Sequence, residues 1–304
     1  MTKFELPAET QVGRVHLQVA DLVQTLAFYR DLLGFRQVGG EGATALLSAT
    51  GCAPLQIVLT ERPGARRKPP RTTGLYHVAI RFPNRSALAR VFRRLVVHRW
   101  PIHGSADHLV SEALYLADPD GNGMELYIDR PRAQWTRRNG QIEMATEPLD
   151  VEELLAEADN DPAPWTGVDP ATDVGHVHLH VSELEQAEAF YSGLLGLDVT
   201  QRGYPGALFL SAGGYHHHLG VNVWAGVGAP PPPPDAVGLL SFALQLPEEE
   251  AWLTLIERAR ASGVAVELHD NGSGCVARLR DRDGNGVELL IEKQEMSLHG
   301  DSRP

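Results

Sequence analysis

The chain has 304 residues, 43% of them hydrophobic, and a formal charge of -12 with lysine and arginine spread through its length. That is enough apolar material for a sizeable core and about two domains, while the excess of negative charge excludes a sequence-independent grip on phosphate backbones, so no nucleic-acid partner is expected. The distant Cys52 and Cys275 make neither a disulfide framework nor a zinc ribbon, and no apolar run approaches the roughly 18 residues of a membrane span; a cytoplasmic protein with no export signal or membrane anchor is expected.

Residues 12–19 alternate in polarity like a half-buried strand. In "DLVQTLAFYRDLLG", Leu22, Leu26, Tyr29 and Leu33 then recur at helical spacing, closed by Gly34. Short strands follow in "ATALLSA" and "PLQIVLT". A second unit opens with the strand "LYHVAIRF" and the helix "SALARVFRRLVVHR", and ends in strands joined by the turn "DPDGNG". The polar, proline-bearing stretch 130–172, with a short helix in "LDVEELLAEA", reads as a linker. After residue 174 the same order returns. The run "PPPPP" at 230–234 cannot continue a strand and reads as a surface loop between the third and fourth units.

The halves are copies. "VADLVQTLAFYRDLLGFRQV" at 19–38 reappears as "VSELEQAEAFYSGLLGLDVT" at 181–200, and "DPDGNGMELYID" at 118–129 as "DRDGNGVELLIE" at 281–292. Each half carries two βαβββ units. The expected fold class is α+β, with four such units forming cupped mixed β-sheets. Domains are expected at 1–135 and 171–295, with a linker at 136–170 and a C-terminal tail at 296–304.

In "DVGHVHLHVSEL", His176, His178 and His180 occupy alternate positions and so share one face of a strand, with Val177, Leu179 and Val181 on the other. The first unit has Arg14, His16 and Gln18 at the matching places, so this face is a polar concavity in both copies. In "LYHVAIRF" the same logic puts His77, Ala79 and Arg81 on one side, and "GMELYI" turns Glu125 and Tyr127 to the hollow. Two imidazoles and a carboxylate on neighbouring strands are the donor set of the non-heme Fe(II) facial triad, which leaves coordination positions open for substrate and O2. His98, His269 and His299 read as surface residues and Trp224 as packing.

The paired "V-x-[DE]-L…FY…LLG" and "DGNG-x-EL" segments resemble the vicinal oxygen chelate superfamily, and most closely its two-domain, glyoxalase-like catechol 2,3-dioxygenases. The resemblance implies a metal held by His77, Glu125 and His176. It also implies a substrate-binding Tyr115, an acid-base His217 on a late strand with His216 and His218 turned to the opposite face, and a supporting His108. Fe(II) is the implied cofactor, with Mn(II) as the alternative, and the substrates are a small aromatic diol and O2. The implied reaction is extradiol cleavage of a catechol to a 2-hydroxymuconic semialdehyde, by a homo-oligomer. Two other readings stand beside it: ring cleavage of a hydroquinone, and a glyoxalase-like isomerase or lyase, which needs a second glutamate where the third unit offers "HHHLGVNVW".

The sequence departs from that family in one respect. The fourth unit has Ser241 and Arg278 where a ligand histidine and the tyrosine belong, and the first has Arg14 in place of a histidine. Intact signatures survive in units two and three, which predicts that these two pair across the halves around one metal. Units one and four would form a second, empty cup.

Overall fold

The computed structural model describes residues 4–160, 163–270 and 275–291. The expected tail at 296–304 lies outside them. Unit one comprises β1 (Gln11–Val19), α1 (Leu22–Leu26), β2 (Arg36–Gly39), β3 (Thr44–Ser48) and β4 (Ile57–Glu61). Unit two has β5 (Gly74–Arg81), α2 (Arg85–Val97), β6 (Ile102–Asp107), β7 (Ser111–Ala117) and β8 (Gly123–Asp129). The linker forms a small hairpin, β9 (Arg137–Arg138) with β10 (Gln141–Ile142), and the helix α3 (Val151–Glu157). Unit three has β11 (Asp173–His180), α4 (Leu184–Glu188), β12 (Asp198–Gln201), β13 (Ala207–Ser211) and β14 (Leu219–Asn222). Unit four has β15 (Gly238–Leu246), α5 (Glu249–Ala261), β16 (Glu267–Asp270), β17 (Cys275–Arg280) and β18 (Gly286–Ile291). The α+β arrangement of four βαβββ units is the one expected.

Sheet order follows the chemistry-based pairing. One eight-stranded sheet runs β12-β13-β14-β11-β5-β8-β7-β6 and so joins units three and two; the other runs β16-β17-β18-β15-β1-β4-β3-β2 and joins units four and one. The seam of each is an antiparallel pair, β11 with β5 and β1 with β15. Alternation places Val177, Leu179 and Val181 in the apolar core beneath the helices, all at 0% exposure.

Within each half, the duplicated motifs lock the two units together. The helix begun by α1 widens at Ala27–Leu32 into a π-turn, with Leu33 N–H donating to the Phe28 carbonyl at 2.9 Å; the copy at Ala189–Leu194 does the same, Leu195 to Phe190 at 3.0 Å. The extra residue in that turn brings the consecutive Phe28 and Tyr29 both inward, a burial that a plain 3.6-residue spacing does not anticipate. Tyr29 then donates its hydroxyl to Asp118 at 3.2 Å, and Tyr191 to Asp281 at 2.8 Å. The DGNG asparagines, Asn122 and Asn285, brace those aspartates with backbone and side-chain N–H groups. The "FY" and "DGNG" repeats are thus two ends of one hydrogen-bonded clasp.

The second cup is filled rather than empty. Glu288, on β18, accepts from Arg14 at 2.8 Å, from Arg278 at 2.6 Å and from the Ser241 hydroxyl at 2.9 Å. His16 pairs with Thr60 at 2.8 Å. Two guanidinium groups meet the buried carboxylate where the other cup gathers imidazoles, so the matching positions hold an ion-paired plug in place of a donor cluster.

Candidate metal centre

The strand register builds the site. On the β11/β5 ladder His176 stands opposite Ala79 and His178 opposite His77; Ala79 faces Glu125 on β8, and Glu125 faces Tyr115 on β7. Ala79 has no bulk to separate its neighbours, so donors from three strands close over it. His77 Nε2 lies 3.1 Å and His176 Nε2 3.2 Å from Glu125 Oε2, and the two nitrogens are 3.3 Å apart. All three side chains are buried. Donor atoms so close repel unless a proton or cation lies among them, and edges of this length suit donors about 2.2 Å from a first-row divalent ion at close to right angles. Two imidazoles with one carboxylate therefore fit such an ion.

Close backbone approach is built into the same strands. A Cβ on Gly175 would overlap the Tyr127 hydroxyl, and one on Gly220 would come within 2.8 Å of the His178 ring. Both glycines let large polar side chains cross the strand next to the donors.

Electrostatics keep the donors in ligand form. Burial lowers the His176 pKa to about 4, so its ring is neutral near pH 7. Burial would raise the Glu125 carboxyl, but His176 and His77 together hold it well below the usual carboxylate range. His176 Nδ1 is buried without a hydrogen-bond partner.

A cavity of about 210 Å³ is lined by His77 and Glu125 of this trio. Tyr115 and His108 form one wall. His108 Nδ1 lies 2.6 Å from the Ala145 carbonyl, which can only accept, so Nδ1 carries the proton and the bare Nε2 receives the Tyr115 hydroxyl at 2.6 Å. The Tyr115 oxygen is left with lone pairs for a ligand, and burial, with Glu125 nearby, raises its pKa well above the ordinary value, so it stays protonated.

His217 lines the cavity with its ring 4.0 Å from that of His176. It does not sit on a strand as expected: β14 begins at Leu219, and the three histidines occupy a loop that leaves Gly213 and Gly214 at positive φ. Strand alternation does not apply there, and His216, expected on the opposite face, lies beside His217 with Nδ1 atoms 2.7 Å apart. His216 Nε2 reaches Asp129 at 2.8 Å. His218 stacks on Tyr215 and accepts from the Ala212 N–H.

Asn222 ties the remaining strand histidines, bonding His178 Nε2 at 3.0 Å through its amide nitrogen and His180 Nδ1 at 2.7 Å through its oxygen. Trp224, read from sequence as packing, lines the cavity with Tyr76, Tyr204 and Phe209 because β14 ends at Asn222 and the chain turns back over the opening. Met144, Ala145 and Thr146, from the linker, close the far side. An interdomain linker carried no signal for this; the isolated bridge between Asp107 and Glu147 and the hydrogen bond from His108 to the Ala145 carbonyl bring it to the end of β6.

Two copies of the βαβββ pair, one cup lined by histidines and one sealed by arginines, define a protein of the Glyoxalase/Bleomycin resistance protein/Dioxygenase superfamily, whose model matches residues 11–126 and 173–289; the chain belongs to that superfamily. It is 44% identical over 267 residues, covering 86% of this chain and 92% of the relative, to a Bacillus subtilis (strain 168) protein named catechol-2,3-dioxygenase. Among solved structures it is similar to one from Bacillus subtilis subsp. subtilis str. 168, with TM-score 0.65 and 13% identity over 96% of this chain and 87% of that one. Glyoxalase I from Zea mays shares the fold at TM-score 0.55 and 16% identity, covering 93% and 92% of the two chains. Among the described residues no helix is long and apolar enough to cross a membrane.

Proposed function

We propose that the protein is an extradiol ring-cleavage dioxygenase acting on an uncharged catechol, with one divalent iron held by His77, His176 and Glu125. The observation that carries the proposal is the meeting of three donor atoms at 3.1–3.3 Å, two of whose residues, His77 and Glu125, line an aromatic-walled cavity. The 44%-identical relative named catechol-2,3-dioxygenase supports the same reaction class. Bound there, iron supplies coordination positions for the two diol oxygens and O2 and a route for electrons between them.

The chain's own residues account for the rest. Tyr115, its proton engaged by His108, presents an oxygen that accepts from a substrate hydroxyl. His217 holds the base position. Its pKa is held well below the ordinary histidine value, by burial first and then by His176 and His216, so it enters the reaction neutral and takes the proton that a diol oxygen sheds. Phe209, Tyr204, Trp224 and Tyr76 offer aromatic faces against which the substrate ring packs. Among the described residues lining the cavity there is no lysine or arginine, so nothing there balances a substrate carboxylate.

The test is direct. Purified protein loaded anaerobically with Fe(II) and given catechol and air is expected to consume O2 in proportion to a yellow, pH-sensitive ring-opened product. Absence of O2 uptake across catechols and hydroquinones would overturn the assignment.

A further inference from the structure

The cluster Asp129, Tyr215, His216 and His217 extends from the cavity wall into the protein and has no part in holding the metal. Asp129 ends β8, and the other three belong to the glycine-bearing loop before β14. His216 is fully buried, and Tyr215 is 2% exposed. Asp129 accepts from the Tyr215 hydroxyl at 3.0 Å and from Arg81 at 3.3 Å, while Tyr127 lies 2.8 Å from Tyr215. A carboxylate so supplied with donors can only accept from His216. When His216 carries a single ring proton, that proton lies on Nε2, facing Asp129 at 2.8 Å, and Nδ1 is bare. That bare nitrogen can only receive, so His217 places its own proton on Nδ1, across the 2.7 Å contact. His217 Nε2, which has no hydrogen-bond partner among the described residues, is then a lone pair on the ring that lines the cavity.

We infer that Asp129 and His216 are positioning residues that fix the tautomer of His217 so that Nε2 faces the substrate as an acceptor. The inference rests on the proposed ring-cleavage reading for its catalytic consequence, but not for the tautomer itself. When Nε2 takes the proton leaving a diol oxygen, Nδ1–H passes its proton to His216 Nδ1. The resulting imidazolium lies against Asp129, and return of the proton to product reverses each transfer, so no proton is lost or gained by the protein. The orienting role is that of a buried acceptor that sets the tautomer of an acid-base histidine, here acting through one more imidazole.

The test uses the full chain and two readouts. In 15N-histidine NMR of the metal-free protein, His217, assigned by its loss in His217→Ala, is expected as the Nδ1–H form. Asp129→Asn, whose amide can offer an N–H to His216 Nε2, is expected to move it toward the Nε2–H form. In steady-state kinetics, His216→Phe is expected to lower kcat at least about tenfold with KM and iron content little changed, and to add nothing to His217→Ala in the double variant. Asp129→Glu should restore part of the Asp129→Asn loss. If His216→Phe does not fold, the Asp129 pair carries both readouts. An Nε2–H His217 in the unsubstituted protein, or losses that multiply in the double variant, would overturn the inference. Inactivity of the unsubstituted enzyme on every catechol would sink the proposed function, while the NMR result would still decide the tautomer.

Discussion

Glu125 and Glu288 occupy equivalent positions in duplicated strands, and substituting each by glutamine should give opposite phenotypes. Glu288 is 2% exposed and joined to Arg14, Arg278 and Ser241. Glu288→Gln leaves two guanidinium groups facing a neutral amide that can accept from only one of them well. Breaking a buried ion pair costs about 3–5 kcal/mol, and because the two arginine side chains are 18% and 31% exposed, the lower end applies. About 3 kcal/mol in a protein of 304 residues lowers Tm by roughly 5 °C. The assay pairs thermal unfolding by circular dichroism with iron content and turnover at 25 °C. Glu288→Gln is expected to lose stability yet keep its iron and most of its kcat per folded molecule. Glu125→Gln is expected to lose iron and activity with little change in the Tm of the metal-free protein. A Glu288→Gln variant with unchanged Tm but no iron would refute the division of the two cups into a plug and a metal centre.

Other outcomes follow from the same geometry. His217→Ala should retain iron and lose about 100-fold or more in kcat, measured by O2 uptake. Tyr115→Phe removes the hydroxyl that His108 orients and should weaken substrate use by about tenfold in kcat/KM, the worth of one lost hydrogen bond near 1.4 kcal/mol. Burial lowers His16 and His176 to about 4 and His218 to about 3, so each stays neutral in the fold while its unfolded counterpart charges below about 6.5. Stability of the metal-free protein should accordingly fall as pH drops from 6.5 toward 4, by up to roughly 1.4 kcal/mol per pH unit for each histidine, in urea titrations. Catechols bearing a carboxylate should show kcat/KM well below alkyl-substituted ones, since the lining offers no cation; a preference for the carboxylates would contradict that reading.

The donor trio was legible because strand alternation and duplication are local signals. His77, Glu125 and His176 fall on polar positions of apolar strands, and Ser241, Arg278 and Arg14 at the matching places of units four and one marked which units keep the candidate donors. That contrast also implied the cross-half pairing seen in the two sheets. The rest depended on backbone geometry with no periodic signature. Asp129 and His216 meet across 87 residues of chain, through a loop whose turn at Gly213 and Gly214 sets His216 beside His217. The π-turns that bury Phe28 beside Tyr29 break the 3.6-residue period, and Met144 to Thr146 reach the cavity only because the linker docks on β6.

The most direct test of the metal centre is an anomalous difference map collected at the iron edge from crystals of the Fe(II)-loaded protein. One peak per chain, within bonding distance of His77 Nε2, His176 Nε2 and Glu125, is the predicted result. A peak beside Glu288 in the other cup, or none between the two histidines, would contradict it.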